Sequence, residues 1–220
     1  GQRVLEIGAG IGNLTRALIP RERYTATDIN PHYLDFLENV AESRPYLDVR
    51  HFDLAAAAAV EPLAGRYDTV VCLNVLEHVA NEAQGARNLL EVLEPGGRAI
   101  VLVPQGPSLY GTLDRVLGHQ RRYTEAMLRA ALEGAGFQIE RVFGFNRASR
   151  PGWWLNGTLL KRERFSRVQL KALDWMIWLI RRVDAALPWP GVSLIAVARR
   201  PKSATSLDAV ELERRTAASR

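Results

Sequence analysis

Short apolar runs alternate with longer, helix-like segments along most of the chain, and this alternation constrains the fold more than any other feature. Five runs rich in apolar and β-branched residues are candidate strands, at residues 3–7, 24–27, 47–52, 67–73 and 98–103. Helical spacing is clearest after Pro31, where Leu34 and Leu37 recur on one face. Strands separated by helices predict an α/β fold, in which right-handed crossovers join parallel strands.

The last third of the chain departs from this alternation. Residues 137–145 and 192–198 alternate as two further strands, and residues 146–190 interrupt the sheet pattern between them. The predicted organisation is a core over residues 1–145, an acceptor-binding or lid insertion over 146–190, a final core strand over 191–200 and a polar tail over 201–220.

Composition excludes several kinds of protein. The chain has 47% hydrophobic and 24% charged residues, which is close to globular averages and excludes wholesale disorder. Cys72 is the single cysteine, so a disulfide scaffold is excluded, and no Cys/His spacing predicts a metal site. The pattern predicts neither a signal peptide nor a membrane-spanning helix. The net charge of +5 comes from scattered arginines and would suit an anionic partner.

A glycine cluster lies between the first candidate strand and the helix that follows it. Gly8, Gly10 and Gly12 allow a sharp turn and a close backbone approach to a ligand. Their spacing, G-x-G-x-G after the acidic Glu6, differs from the G-x-G-x-x-G of dinucleotide sites, where a carboxylate would repel the pyrophosphate. Asp28 follows about 20 residues later and can accept hydrogen bonds from ribose hydroxyls. The loop and the acid favour a nucleoside ligand without specifying which one.

Five motifs in sequence order extend this pattern. They are Val4–Gly12, Thr27–Ile29, His51–Leu54, Tyr67–Val79 and Leu93–Gly97. Together they resemble the motifs of class I S-adenosylmethionine-dependent methyltransferases of the small-molecule type. Members usually carry a helix before the first strand, whereas Gly1 stands directly before it here.

The resemblance implies both a fold and a cofactor. The fold is a Rossmann-like, seven-stranded and mostly parallel sheet with an antiparallel last strand, helices on both faces and a helical insertion before that strand. The cofactor is S-adenosyl-L-methionine. Asp28 would hold the ribose, Asp53 would face the adenine amino group and Glu6 would order the loop. The full set of implied cofactor-binding residues is Glu6, Gly8, Ala9, Gly10, Gly12, Asp28, Ile29, Asp53, Leu54 and Asn74.

Two histidines are candidates for the chemistry. Methyl transfer is an in-line displacement that depends mainly on positioning, but a hydroxyl acceptor needs a general base, for which histidine is the usual group. His78 follows the fourth strand and His119 lies in the segment after the fifth. The alternative interpretations are a packing or capping residue for His78 and a surface-loop residue for His119.

The acceptor itself is predicted from fewer residues. Arg121 and Arg122 could bind an anionic acceptor group, or could lie in a solvated loop; Tyr123 and Trp153 complete the candidate set. No nucleic-acid partner is expected, because no nucleic-acid-binding module and no DNA-methylation motif is present.

A helix predicted over residues 166–187 carries apolar residues and Trp175 and Trp178 on more than one face. It could be a cap on the sheet, a homodimer contact, or a lid that contacts a membrane surface or a lipid-linked acceptor. We therefore expect a cytoplasmic enzyme. Peripheral attachment to the inner face of the membrane is an alternative. Its acceptor would be small or lipid-like, methylated at oxygen. The alternatives are a cofactor-binding subunit or membrane-docked scaffold without turnover, and a nicotinamide-dependent oxidoreductase.

Overall fold

The computed structural model describes residues 1–162, 171, 175, 178, 180 and 182–202. One seven-stranded sheet organises this part of the chain. Its strands are β1 Arg3–Ile7, β2 Arg23–Asp28, β3 Leu47–His51, β4 Tyr67–Leu73, β5 Leu93–Pro104, β6 Gln138–Phe145 and β7 Ser193–Arg199. The α-helices are α1 Asn13–Leu18, α2 Pro31–Ala41, α3 Glu82–Val92, α4 Thr112–Leu117, α5 Glu125–Gly134 and α6 Arg150–Trp153.

The strand order is β3-β2-β1-β4-β5-β7-β6. Strands β1 to β5 pair in parallel, and β7 runs antiparallel between β5 and β6. The predicted Rossmann-like sheet with an antiparallel last strand is therefore confirmed. The order reverses at β1, and the crevice outside such a reversal is where parallel α/β sheets bind ligands.

Alternating side chains of the central strands separate into two hydrophobic clusters. On β1, Val4 belongs to one cluster and Leu5 to the other; on β4, Val71 and Cys72 are divided in the same way. Because successive side chains of a strand point to opposite faces, both faces of the sheet are covered. Helix α2 packs in the first cluster, through Leu37, and helices α3 and α5 pack in the second.

Strand β5 begins earlier than the sequence predicts. The pairing of Tyr67 with Leu93 is followed by that of Thr69 with Arg98, so residues 94–97 form an irregularity opposite a single residue of β4. The Pro95-Gly96-Gly97 turn therefore lies within the strand as a bulge, with Gly96 at φ 86°.

The insertion between β6 and β7 is partly described. Helix α6 continues into a π-helical turn at Trp154–Leu159, and the residues described between 171 and 183 are all helical. Most of the predicted apolar face of residues 166–187, and the tail from residue 203, lie outside the described residues. Within the described part of the chain, no helix has the length and apolar character needed to cross a membrane.

Candidate cofactor and acceptor site

The glycine loop is fastened to the end of β2. The amides of Gly8 and Ala9 both donate to the Thr27 carbonyl oxygen at 2.9 Å, and Gly10 N donates to Asp28 Oδ2 at 2.9 Å. Gly8 and Gly10 have φ values of 77° and 56°, which glycine adopts without steric cost. The loop is thereby held open at the carboxyl edge of the sheet.

Glu6 lies beneath the loop. It is buried, and its Oε2 accepts hydrogen bonds from Thr15 Oγ1 at 2.5 Å and from Tyr24 Oη at 2.8 Å. Burial raises the pKa of this carboxyl, although both hydrogen bonds oppose the change. Glu6 therefore joins α1 to β2 and supports the loop from below.

A cavity of about 680 Å³, which we call the loop cavity, opens where β1, β2 and β4 end. Its volume is within the roughly 300–1,000 Å³ usual for small-molecule sites. The predicted cofactor-binding residues that line it are Gly8, Gly10, Asp28, Ile29, Asp53, Leu54 and Asn74. Glu6, Ala9 and Gly12 do not line it.

The lining of the loop cavity fits an adenosyl group. The Asp28 oxygens each accept one backbone amide, from Gly10 and Asn30. A carboxylate offers about four lone-pair sites, so positions remain for two ribose hydroxyls. Ile29 is 58% exposed and Leu54 is buried, and both line the cavity as apolar surface for a base.

A smaller cavity of about 340 Å³, which we call the histidine cavity, lies beside the loop cavity. Asn74 and His78 line both cavities. Asn74 follows β4 at a left-handed φ of 55° and donates its amide to the Leu102 carbonyl oxygen at 2.9 Å. The residue at the end of β4 therefore stands between the two spaces, where a methyl group would have to pass.

His119 is positioned by two acids. Its Nδ1 lies 2.9 Å from Asp114 Oδ1, and its Nε2 lies 3.9 Å from Glu77 Oε1. Its ring meets that of His78 edge-on, with 5.0 Å between the centroids. His78 is exposed at one edge, and its Nδ1 lies 3.2 Å from the Gly118 carbonyl oxygen. Partial desolvation of the imidazole lowers its pKa. Both predicted histidines therefore reach the histidine cavity.

Asp114 is the ionised partner in this cluster. Burial alone would raise the pKa of its carboxyl, but hydrogen bonds from His119 and Arg122 outweigh burial and lower it. Glu77 has no such donors, and burial raises the pKa of its carboxyl to about 7. Burial therefore dominates the pKa of Glu77, whereas hydrogen bonds and the Arg122 charge dominate the pKa of Asp114.

Arg122 lines the histidine cavity, and its charge is already compensated. Its Nε donates to Asp114 Oδ1 at 2.8 Å, and its guanidinium lies 4.5 Å from the centroid of the Trp153 ring. Burial lowers the pKa of the guanidinium. Arg122 and Trp153 together form a rigid wall, because the ion pair and the stacking contact fix both side chains.

Arg121 and Tyr123 are not among the residues that line either cavity, so their expected contacts with an acceptor stay a prediction. Arg121 donates to the Val79 and Ala80 carbonyl oxygens, each at 2.8 Å, so its guanidinium anchors the turn after β4. Tyr123 is fully buried in the larger hydrophobic cluster. The arginine-rich pattern did not distinguish a backbone anchor from an anion-binding group.

Sequence reasoning missed several residues of the site. Tyr33 and Val79 line the loop cavity, and Leu117 and Ser193 line the histidine cavity. Helix periodicity after Pro31 gave a signal for Tyr33 but could not show which face met the cavity. Glu77, next to His78, carried no signal because an acid in a turn is ordinarily solvated.

The fold and the loop cavity define an α/β protein with a site that fits a nucleoside cofactor, and a second cavity lies beside that site. Residues 5–99 match a family model described as a methyltransferase domain. The chain is 30% identical over 159 residues to the ubiquinone biosynthesis O-methyltransferase of Xanthomonas euvesicatoria, covering 66% of each chain. It is 30% identical over 153 residues to a Mycolicibacterium smegmatis protein named as an S-adenosylmethionine-dependent methyltransferase, covering 66% of this chain and 55% of the relative.

A solved S-adenosylmethionine-dependent methyltransferase from Mesorhizobium loti has the same fold, with a TM-score of 0.62 at 16% identity over 90% of each chain. The chain spans 66% and 55% of the length of the two curated relatives. Residues 5–99 therefore form a methyltransferase domain of the S-adenosylmethionine-dependent kind. Its cofactor is S-adenosyl-L-methionine, which the lining of the loop cavity fits.

Proposed function

We propose that this chain transfers a methyl group to a hydroxyl oxygen of a small acceptor with an apolar body, held in the histidine cavity. The observation that carries the proposal is the pair of cavities that share Asn74 and His78 as a common wall. The cofactor supplies an electrophilic methyl group on a sulfonium. Residues of this chain hold the acceptor in line with that group, which is the main requirement of a displacement.

The chemistry of the histidine cavity supports oxygen as the nucleophile. A hydroxyl becomes a good nucleophile only when its proton is polarised or removed. The imidazoles of His78 and His119 are placed to do this. The relative that acts in ubiquinone biosynthesis is itself an O-methyltransferase by name, which supports the same choice.

The walls of the histidine cavity support an apolar acceptor body. Pro104, Leu117, Trp153 and Val192 form their apolar part. Trp175 and Trp178 of the insertion are 78% and 58% exposed, which supports a contact between the insertion and an apolar partner such as a lipid-like acceptor. We therefore propose phenols and catechols with an alkyl substituent as the acceptor class.

The test offers the full chain a tritiated methyl donor with matched alkyl-substituted phenol, catechol, aniline and thiophenol acceptors. We expect label in the phenol or catechol products, and a higher kcat/KM for longer alkyl substituents. Label confined to the aniline or thiophenol would overturn the assignment to oxygen. No label in any acceptor, from protein that binds S-adenosylhomocysteine, would favour a cofactor-binding subunit without turnover.

Two neighbouring residues of α4 locate the acceptor. Leu117 lines the histidine cavity and is 53% exposed, whereas Val116 is 59% exposed and does not line it. Leu117→Glu should lower kcat/KM about tenfold or more, because it places a charge against an apolar ligand. Val116→Glu should behave as the parent enzyme. Equal kinetics for the two variants would place the acceptor elsewhere.

A further inference from the structure

Three metal-ligand side chains meet at the edge of the histidine cavity. Glu77 and His78 belong to the helical turn after β4, and His119 follows α4. One candidate ligand atom from each lies within 4.8 Å of the others. No sequence motif predicts this cluster, because the fold brings together residues that are far apart in the chain.

The Glu77 carboxylate is the member of this cluster whose oxygens lack a hydrogen-bond donor. Its side chain is 0% exposed, and among the residues that the structure describes neither of its oxygens has a hydrogen-bond partner. The nearby guanidinium of Arg122 is bonded to Asp114 at 2.8 Å instead. A buried carboxylate without a hydrogen-bond partner is costly, and metal coordination is one of the few arrangements that compensates it.

The hydrogen bonds of both imidazoles leave the same nitrogen available. Asp114 Oδ1 and the Gly118 carbonyl oxygen can only accept, so Nδ1 of His119 and of His78 must carry the proton in each contact. Nε2 of each ring then holds its lone pair. Metal-bound histidines typically donate their other N–H to a carboxylate or a backbone carbonyl, which fixes the tautomer and raises the basicity of the ligand.

We propose that Glu77, His78 and His119 bind one divalent transition-metal cation at the edge of the histidine cavity. Two imidazoles and one carboxylate suit zinc or manganese, and leave coordination positions open for acceptor oxygens. This inference rests on the proposed function, and it assigns to the cation the polarisation of the acceptor hydroxyl.

The proposed methyl transfer requires no oxidant or reductant. The acceptor hydroxyl, bound to the cation, loses its proton to solvent. The acceptor oxygen then forms a bond to the methyl carbon while the carbon–sulfur bond breaks. The electron pair of that bond stays on sulfur, so the sulfonium becomes a neutral thioether and the acceptor becomes a methyl ether.

The first experiment measures binding directly. Full-length protein is stripped with a chelator, dialysed and titrated with Zn²⁺, Mn²⁺ and Mg²⁺ by calorimetry, and with Co²⁺ as a visible spectroscopic probe. We expect one site per chain for Zn²⁺ or Mn²⁺. Folded protein that binds none of these cations would overturn the proposal, and this measurement needs no variant.

Matched variants then locate the site. Glu77→Gln and His119→Gln should bind the cation at least tenfold more weakly, and the exposed His51→Gln should bind it as the parent does. Circular dichroism and S-adenosylhomocysteine binding confirm that each variant is folded. Parent-like affinity in both Glu77→Gln and His119→Gln would overturn the assignment of the ligands.

Measuring methyl transfer with and without the cation distinguishes this inference from the proposed function. We expect chelator to abolish methyl transfer to oxygen, and Zn²⁺ or Mn²⁺ to restore it. Transfer that is insensitive to chelator would overturn the role of the cation and leave the proposed function standing. Cation binding that depends on Glu77, without transfer to any hydroxyl, would support the site and overturn the proposed function.

Discussion

Gly8 combines a left-handed backbone with a close side-chain neighbour, so an added methyl group should be damaging there. Its φ of 77° is left-handed, and a residue with a Cβ costs roughly 1–2 kcal/mol in that conformation. A Cβ would also lie 2.4 Å from Val75 Cγ2, far inside the roughly 3.5–4.0 Å of normal carbon contact. Because overpacking typically costs about 1–3 kcal/mol, Gly8→Ala should lower the free energy of unfolding by about 1–5 kcal/mol in total, after a gain of about 0.4–1 kcal/mol from restricting the unfolded chain.

Gly10 provides the matched comparison. Its φ is also left-handed, at 56°, but no heavy atom of the described residues lies within 4 Å of an added Cβ. Gly10→Ala should therefore lower the free energy of unfolding only by the cost of the left-handed backbone minus the gain from restricting the unfolded chain, which is about 0–1.6 kcal/mol. In a Val75→Ala background the contact at Gly8 disappears, so the double-mutant cycle should give a coupling of about 1–3 kcal/mol.

Urea unfolding followed by circular dichroism measures these differences by linear extrapolation. Two results would refute the reasoning. One is an equal loss of stability in Gly8→Ala and Gly10→Ala. The other is a Gly8→Ala cost that Val75→Ala does not reduce, which would mean that the steric contact with Val75 is not the cause.

Three further predictions test other parts of the site. Asp28→Ala should weaken S-adenosylhomocysteine binding by more than about 1 kcal/mol in calorimetry, because charge-assisted hydrogen bonds are lost; the exposed Asp35→Ala is the control, and equal affinities would contradict the ribose assignment. Cys72 is fully buried, and burial raises the pKa of its thiol, so a maleimide should label it only in denaturant; rapid labelling of native protein would disagree. Asn88 Nδ2 donates to the Leu54 carbonyl oxygen at 2.7 Å in a buried position, so Asn88→Ala should cost about 1–3 kcal/mol, and an unchanged urea midpoint would argue against it.

The sheet could be predicted because its signals are local. The run Tyr67–Leu73 coincides with β4 at both ends, since apolar and β-branched residues alternate between two buried faces. The segment after β5 contains α4, a helix that the sequence pattern does not predict. A helix of six residues is too short to show a hydrophobic period.

The acceptor side of the site could not be predicted in the same way. The burial of Glu77 and its approach to His119 depend on how the loop after α4 folds back onto the turn after β4. Adjacent arginines took different roles, since Arg121 binds backbone carbonyls and Arg122 pairs with Asp114. Tertiary packing decides which carbonyl or carboxylate oxygen lies next to each arginine, and residue type and spacing do not encode this.

The position of the insertion has a consequence for how this enzyme could be altered. Phe145 at the end of β6 pairs with Ser193 at the start of β7, so the chain leaves and re-enters the sheet at hydrogen-bonded neighbours. In topological terms the insertion is the loop of one hairpin. Its length and composition can therefore be exchanged for those of another methyltransferase while the strand register is preserved, which makes it a natural unit for grafting a new acceptor preference.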